Sequence, residues 1–438
     1  MNVLRTTAAA LAAGTICAAA AAAAGAAAAS AAASAPNARA AAASALPASA
    51  AASAPVASAS APKEHATAQP RVVVADGARG AIRVLDLASG RRVGRVVRVA
   101  GPAALTTAGD GRHVLASQGA RNRVDALDGG AWSQPHGDHV HHHTTAPRLL
   151  PFRLSIAKPS HVVPHGDEVA IFGDGSGEAQ VFGTGALRRR AVPLATARTG
   201  TPHHGVAVPF GERIVLSVAD PAGQDGDLPR HLEVRDRGGA TLLRADCPEL
   251  HGETAGDGWA AFACADGIAL VKLGAGRAPT SEKLPYPARA SEEQRAFTLH
   301  SDASGRRIVG NFGPRALVVT ERSSARSRVV SVGATIASFA VDAGSGAIVV
   351  LGTDGVLRRI YPASGRQTAA RRVVGAAFRP AWDRPSPKLA ARGGLVAVSD
   401  HARTRVTVLR VGAGGALKPV RALKVPGAPT GVAFAGVG

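Results

Sequence analysis

The sequence is poor in the residues that soft-metal sites and base-stacking surfaces need. Its 438 residues include three cysteines, one methionine and only 3 % aromatic residues. So few thiols and thioethers argue against a site for Cu(I), which prefers soft ligands. So few aromatic rings argue against platforms on which nucleic-acid bases could stack.

The chain also lacks an apolar run of about 20 residues outside its alanine-rich start, so no transmembrane helix is predicted. Residues 1–29 have a basic start at Arg5, an alanine-rich region and A-x-A cleavage sites, which indicates a cleaved signal peptide and a periplasmic protein. Ile16 precedes Cys17 where a lipid-anchored cysteine needs a small residue. Residues 30–69 are Ala/Ser/Pro low complexity and predict a flexible linker, which leaves 70–438 as the folded part.

Acidic residues are in the minority, and the formal net charge is +20. The arginines are spread along the whole chain, and the densest run, 188–190, does not lie on a helix that could enter a groove. A solvated basic surface is therefore favoured over nucleic-acid binding.

From residue 71 onward the chain shows short apolar runs separated by Gly, Asp, Asn and Pro, without a sustained helical period. This pattern predicts an all-β protein. Eight hairpins recur every 40 to 50 residues, from "RVVVADGARGAIRVLDLASG" to "LVAVSDHARTRVTVLRVGAGG", and each has a further strand before and after it. Four strands per unit, A to D from the centre outward, predict a β-propeller with eight blades. Seven blades is the alternative, since the final "TGVAFAG" could complete the first blade.

A histidine-rich segment, "HGDHVHHH" (136–143), follows the second hairpin. Glycines and prolines flank it, which predicts a flexible loop. As a connection from one unit to the next A strand, it would lie on the face that carries the D–A connections and B–C turns, here named the upper face. Its candidate metal ligands are His136, Asp138, His139, His141, His142 and His143.

More histidines lie in or near the A strands of the following units, and the B–C turn residue Asp174 shares their face. We expect them to meet the loop at one mouth of the central channel. These rigid candidates are His161, His203, His204, His251, Glu253 and His300.

Neutral imidazoles with a carboxylate are usual ligands of zinc, which binds four donors at about 2.0–2.1 Å. Copper and nickel also accept imidazole, so the ligands leave selectivity over these metals open. The arrangement predicts capture of zinc by the loop and storage at the mouth.

Two cysteines remain once the signal peptide is removed, Cys247 and Cys264. They are seventeen positions apart, on what the pattern predicts to be neighbouring strands of an exported protein. We therefore predict a disulfide between them.

Several segments resemble the periplasmic zinc metallochaperones of the AztD type, among them "PSHVVPHGDEVAIFGDGSGEAQVF", "TPHHGVAVPFGERIVLSV" and "SGRRIVGNFGPRALVVTE". The resemblance runs from about residue 71 to the end. It implies a β-propeller that carries zinc to the solute-binding protein of an ATP-driven zinc importer. It further implies that "HGDHVHHH", His161, His203-His204 and "LHGE" handle zinc, and that the two cysteines pair.

Two other functions stay open at this stage. A propeller hydrolase or lactonase would use a channel metal with Glu253 as general base. A protein-interaction propeller would carry the histidine-rich segment incidentally, because a fold does not define a function. We favour the zinc chaperone, which is not an enzyme, and we expect it to be a monomer with no nucleic-acid or membrane partner.

Overall fold

The computed structural model describes residues 61–223, 227–288, 291, 293–380, 385–412 and 414–437. The predicted signal peptide, Cys17 and most of the predicted linker lie outside these residues. Among the described residues there is no helix with the length and apolarity needed to span a bilayer.

The described residues form strands connected by short turns. The first twelve strands are β1 (Lys63–His65), β2 (Arg71–Asp76), β3 (Ala81–Asp86), β4 (Val97–Arg98), β5 (Ala104–Thr107), β6 (His113–Gln118), β7 (Arg123–Asp128), β8 (Ala131–His136), β9 (His139–Thr144), β10 (Arg148–Ser155), β11 (Pro159–His165) and β12 (Glu168–Gly173). The next twelve are β13 (Glu178–Gly183), β14 (Ala195–Arg198), β15 (Ala207–Phe210), β16 (Arg213–Val218), β17 (His231–Asp236), β18 (Thr241–Asp246), β19 (Glu253–Gly256), β20 (Trp259–Cys264), β21 (Gly267–Lys272), β22 (Thr280–Leu284), β23 (Leu299–Ser301) and β24 (Arg307–Asn311). The last are β25 (Ala316–Glu321), β26 (Arg326–Ser331), β27 (Ile336–Val341), β28 (Ile348–Gly352), β29 (Val356–Ile360), β30 (Gln367–Arg372), β31 (Leu389–Arg392), β32 (Leu395–Asp400), β33 (Arg405–Val411), β34 (Leu417–Lys424) and β35 (Pro429–Ala435). Three short 3-10 helices cover Gly119–Arg121, Thr184–Arg188 and His401–Arg403.

The predicted all-β propeller is confirmed. Within the described residues there are eight four-stranded antiparallel sheets and one three-stranded sheet. Each of the eight predicted hairpins supplies strands B and C of one four-stranded sheet, as β12 and β13 do. The C-terminal strand β35 pairs with β2 and so supplies strand A of the first sheet. This pairing joins the two ends of the folded region.

Apolar residues fill the space between neighbouring sheets and hold them together. The strand B residues of each sheet are almost all buried, as the pattern of β12 and β20 illustrates. One core cluster joins Val208 and Val215 of one sheet to Phe262 and Val271 of the next. The alternation of strand side chains sends one set to each neighbouring sheet, which is why apolar residues occupy both faces.

The A strands surround a central cavity of about 640 Å³. The strands that line it are β5, β11, β19, β23, β27, β31 and β35. The upper face holds the D–A connections and B–C turns, and the lower face holds the A–B turns and C–D connections. A six-residue strand such as β7 spans about 20 Å at roughly 3.3 Å per residue, which sets the separation of the two faces.

The histidine-rich segment differs from its prediction in two ways. It is a hairpin, since β8 and β9 pair around the two-residue turn Gly137-Asp138, and so the prediction of a loop is wrong. It also connects strand C (β7) to strand D (β10) of the second sheet, and so it starts from the lower face. The predicted position on the upper face is therefore wrong as well.

The last part of the segment assigned to the linker is ordered against this hairpin. Strand β1 pairs antiparallel with β9, and Glu64 lies opposite His143. The three-stranded sheet β1-β9-β8 is the result.

Candidate functional site

Three histidines from consecutive sheets meet on the upper face at the mouth of the channel, and we name them the mouth cluster. His161 lies near the start of β11, whereas His204 and His251 lie in the D–A connections before β15 and β19. The ring centres are 5.1 Å apart for His161 and His204, 5.0 Å for His204 and His251, and 6.1 Å for His161 and His251. Residues 43 and 47 positions apart in the chain therefore share one site.

Each ring of the mouth cluster has its Nδ1 atom against an acceptor. His161 Nδ1 is 3.1 Å from a Glu253 carboxylate oxygen, and His204 Nδ1 is 2.7 Å from Asp174 Oδ2. His251 Nδ1 donates to the Phe297 carbonyl oxygen at 2.9 Å. A neutral imidazole that donates through Nδ1 keeps its lone pair on Nε2, so all three rings are held in the tautomer that binds a metal.

The spacing of the rings comes near to that of ligands on one tetrahedral ion, although the ring nitrogens of these three histidines do not all lie within 4.8 Å of one another, as those of His136, His139 and His141 do. Imidazoles bound to zinc at 2.0–2.1 Å at tetrahedral angles have ring centres about 5 Å apart. Two of the three separations in the mouth cluster match that value, at 5.1 and 5.0 Å, and the third is 6.1 Å. Three protein ligands would leave a fourth position on the ion for water or an incoming group.

The electrostatics of the mouth cluster favour binding of a cation. Burial lowers the pKa of His251 to about 4, helped by the neighbouring His204 and His161, so this ring is neutral at pH 7. Burial also acts to lower the pKa of His161, but the Glu253 carboxylate outweighs it and raises that pKa above its usual value. Burial acts to raise the pKa of Glu253, and the neighbouring His161 brings it below its usual range. The carboxylate is therefore ionised and faces the ring that a cation would approach.

Two glycines allow the backbone beside the mouth cluster to pack closely. A Cβ on Gly205 would lie 2.4 Å from the Phe172 ring, and a Cβ on Gly252 would lie 2.3 Å from the Phe297 carbonyl oxygen. Both glycines directly follow a histidine of the cluster. They let the two connections turn toward the channel.

A second group, His136, His139 and His141, lies on the β8–β9 hairpin, and we name it the hairpin cluster. One imidazole nitrogen of each lies within 4.8 Å of the others, although the cluster is more exposed than the mouth cluster. Residues 139, 141 and 143 point to the same side of β9 because strand side chains alternate, and His136 lies opposite His139.

The contacts of the hairpin cluster repeat those at the mouth. His139 Nδ1 is 3.0 Å from Asp138 Oδ1, and His141 Nδ1 contacts the Glu64 carboxylate. The Nε2 atoms of His139 and His141 face each other at 3.0 Å. Two lone pairs this close repel unless a cation or a proton lies between them, so the pair is suited to a shared metal ion.

The remaining predicted ligands have other surroundings. Both ring nitrogens of buried His203 are engaged, with the Thr201 carbonyl oxygen at 2.9 Å and Ser217 Oγ at 3.1 Å. His142 lies on the opposite side of β9 and contacts Ser133 Oγ at 2.8 Å. His143 stacks on Trp132 with ring centres 5.2 Å apart.

His300 lies deeper in the channel and packs edge-on against Phe339, so it does not join the mouth cluster. The sequence prediction placed His300 at the channel mouth with His161, on the basis of equal spacing between these residues and the following strand B. Equal spacing assumes A–B turns of one length, but the turn before β24 has five residues and the turn before β12 has two.

The prediction that the histidine-rich segment meets the mouth histidines is wrong. The mouth cluster lies on the upper face, and the hairpin cluster is attached to the lower face at the other end of the strands. One ion cannot reach both. The structure therefore has two separate candidate sites.

Two functional groups were absent from the predicted ligand set. Glu64 lies in the segment that composition assigned to a linker, and Phe297 takes part through its backbone carbonyl, which any residue has. A lone "KEH" at the end of low-complexity sequence gives no signal of pairing with a strand 80 residues away.

The predicted disulfide between Cys247 and Cys264 is present. Both cysteines are fully buried. The bond ties the start of the connection that carries His251 to the end of β20.

We expect the Cys247→Ala/Cys264→Ala chain to lose about 3 kcal/mol of its free energy of unfolding, because the bond closes a loop of about 17 residues in the unfolded chain. Urea unfolding followed by tryptophan fluorescence measures the change. Added reductant should destabilise the wild type in the same direction and leave the variant unchanged. A variant as stable as the oxidised wild type would contradict the prediction.

The fold and both histidine clusters define a β-propeller with candidate metal sites, and comparison with known proteins points the same way. A zinc chaperone, AztD of Citrobacter koseri, is 28 % identical over 343 residues, which are 77 % of this chain and 80 % of AztD. The crystal structure of C. koseri AztD superposes with a TM-score of 0.77 at 27 % identity, over 84 % of this chain and 98 % of AztD. The apo AztD structure gives a TM-score of 0.76 at 26 % identity over the same shares. No family model matches the chain.

Proposed function

We propose that this protein is a periplasmic zinc metallochaperone that binds zinc and hands it to the solute-binding protein of a zinc ABC importer. The mouth cluster carries the proposal, because His161, His204 and His251 bring their rings within 5.0–6.1 Å of one another at one channel mouth and their Nδ1 atoms are held by acceptors. The similarity to the AztD zinc chaperone and the signal-peptide composition of residues 1–29 support zinc as cargo and export as the route.

In this proposal the mouth cluster supplies three nitrogen ligands to zinc. Glu253 and Asp174 orient two of the rings and balance the charge of the ion, as carboxylates behind metal-bound histidines do. Because His204 is 35 % exposed and His161 is 19 % exposed, a partner that docks on the upper face can reach the open fourth position. Zinc then passes by exchange of one ligand at a time.

The hairpin cluster is proposed as an independent capture site on the lower face. It is more exposed than the mouth cluster and rests on a two-stranded projection extended by β1. Because the site is exposed, zinc ions in solution can reach it directly. Because it lies far from the upper face, it does not meet the mouth histidines as the sequence predicted.

A hydrolase based on the same channel fits the contacts less well. Its general base would be Glu253, the candidate base named from the sequence. That carboxylate already contacts His161 Nδ1, so it serves to orient a ring and is not free to activate water. The chain is therefore proposed to be a carrier without catalytic activity.

Zinc titration of the purified protein at pH 7.5 against a chelating dye tests the binding part. We expect two equivalents, one at each cluster, and less than one tight equivalent would overturn the proposal. The transfer part is tested by mixing the zinc-loaded protein with the apo solute-binding protein in excess chelator. Direct transfer delivers zinc to the partner despite the chelator, whereas release into solution delivers it to the chelator.

A further inference from the structure

Strand β1 is a short edge strand that joins the hairpin from a segment remote in sequence. Its three residues pair with β9 in the register Lys63 to Thr144, Glu64 to His143 and His65 to His142. Lys63 and Glu64 are exposed, and β1 has no apolar side chain to bury. Three pairs without apolar burial provide little docking energy, so β1 is among the elements that separate most readily from the sheet.

The side chains of β1 make specific contacts with the hairpin. His65 Nε2 is 2.8 Å from Thr144 Oγ1, on the side of β9 that faces away from the hairpin cluster. Glu64 lies on the other side, where its carboxylate contacts His141 Nδ1. Docking of β1 thus brings a carboxylate, 77 positions away in the chain, to a ring of the hairpin cluster.

The contact with Glu64 determines what His141 offers to a metal. When Nδ1 donates to Glu64, the lone pair resides on Nε2, which faces His139 Nε2 at 3.0 Å. His139 receives the equivalent support from Asp138, its neighbour within the turn, and keeps it whether or not β1 is docked. His141 alone depends on a separate strand for its carboxylate.

We propose that Glu64 is a positioning residue of the hairpin cluster and that zinc binding there is coupled to docking of β1. This inference rests on the proposed function, since it takes the hairpin cluster to be a zinc site. Docking fixes the His141 ring for zinc, and by thermodynamic reciprocity zinc must favour docking. Docking of β1 therefore strengthens zinc binding at the hairpin cluster, and zinc binding there increases the docking of β1.

The experiment compares the full-length wild type with Glu64→Gln, which keeps the size of the side chain and removes its charge. We expect the zinc affinity of the hairpin cluster to fall roughly tenfold, at the lower end of the 10–100-fold effect of losing an outer partner of a ligand. The affinity of the mouth cluster should stay unchanged. Amide hydrogen exchange should show that zinc slows exchange at 63–65 in the wild type and much less in the variant.

Glu212→Gln is the matched control, because Glu212 is an exposed glutamate in the A–B turn before β16, also on the lower face, with only a 3.8 Å ion pair to Arg237. It should change neither measurement. Wild-type affinity and wild-type zinc-dependent exchange in Glu64→Gln would overturn the coupling and leave the proposed function intact. A wild-type hairpin that binds no zinc would overturn the capture site and this inference together.

Discussion

Replacing His204 by asparagine is expected to lower the zinc affinity of the mouth cluster at least about a hundredfold. Loss of an outer partner alone costs 10–100-fold, and His204 is proposed as a direct ligand. Asparagine can still donate to Asp174, which accepts from His204 Nδ1 at 2.7 Å, so the carboxylate is not released to replace the lost ligand. Competition with a chelating dye measures the affinity.

His231→Asn is the control for this experiment. His231 also has its Nδ1 3.0 Å from a carboxylate, that of Asp246, but it lies on β17 in a hairpin strand away from the channel mouth. Its replacement should leave zinc affinity within about twofold of the wild type. A His204→Asn chain that binds zinc as tightly as this control would show that the tight site lies elsewhere.

The fold could be predicted from the sequence because its signal is local and repeated. Each hairpin combines two apolar runs with a polar turn. Eight such units at regular spacing favour a propeller over other all-β folds. The histidine-rich segment was misplaced because strand D of its sheet, β10, follows the inserted hairpin. The sequence analysis did not identify 148–155 as strand D, so it interpreted an insertion between strands C and D as a connection from one unit to the next A strand.

The sequence does contain a pattern for this hairpin, but the glycines and prolines around it favoured the prediction of a loop. Glycine and proline suggested a loop, yet "HGDH" is a two-residue turn between strands, and Gly137 has the positive φ of 60° that such turns favour. Histidines at 139, 141 and 143 also follow the period of a strand. To predict the hairpin, the two-residue turn and the strand period had to count for more than the glycines and prolines that flank the segment.

The mouth cluster was only partly predictable. The A-strand pattern placed His161 and His251 at the channel mouth, but the choice between His203 and His204 depends on the direction of one side chain. Adjacent residues point to different sides, and here His203 turns into the core toward Ser217 while His204 turns toward Asp174. That choice follows from packing of the Phe172 ring against His203, a contact between sheets that no local pattern reveals.

A common contact pattern unites the two clusters despite their separate origins. In each, ring Nδ1 atoms donate to acceptors and Nε2 atoms are left for a ligand, through Glu253, Asp174 and a backbone carbonyl at the mouth and through Asp138 and Glu64 on the hairpin. A structural histidine such as His203 instead has both nitrogens engaged. Because core oxygen atoms engage both of its ring nitrogens, His203 has no nitrogen left for a metal.

Removing the hairpin cluster is expected to abolish one of the two zinc equivalents and to leave the mouth unaffected. The His136→Gln/His139→Gln/His141→Gln chain loses all three candidate ligands of the lower face, while the mouth lies about 20 Å away along the strands. Sites this far apart behave independently, so the affinity of the remaining equivalent should agree with the wild-type mouth within about twofold. Titration with zinc against a chelating dye gives both numbers.

His142→Gln provides the control on the same hairpin, since His142 points to the other side of β9 and contacts Ser133. It should retain two equivalents. Combination of the triple variant with His204→Asn should add the two losses, because neither cluster contributes a ligand to the other. If the triple variant instead weakens the mouth, the two clusters share an ion or exchange it within one molecule. Separate loading on opposite faces would then be wrong.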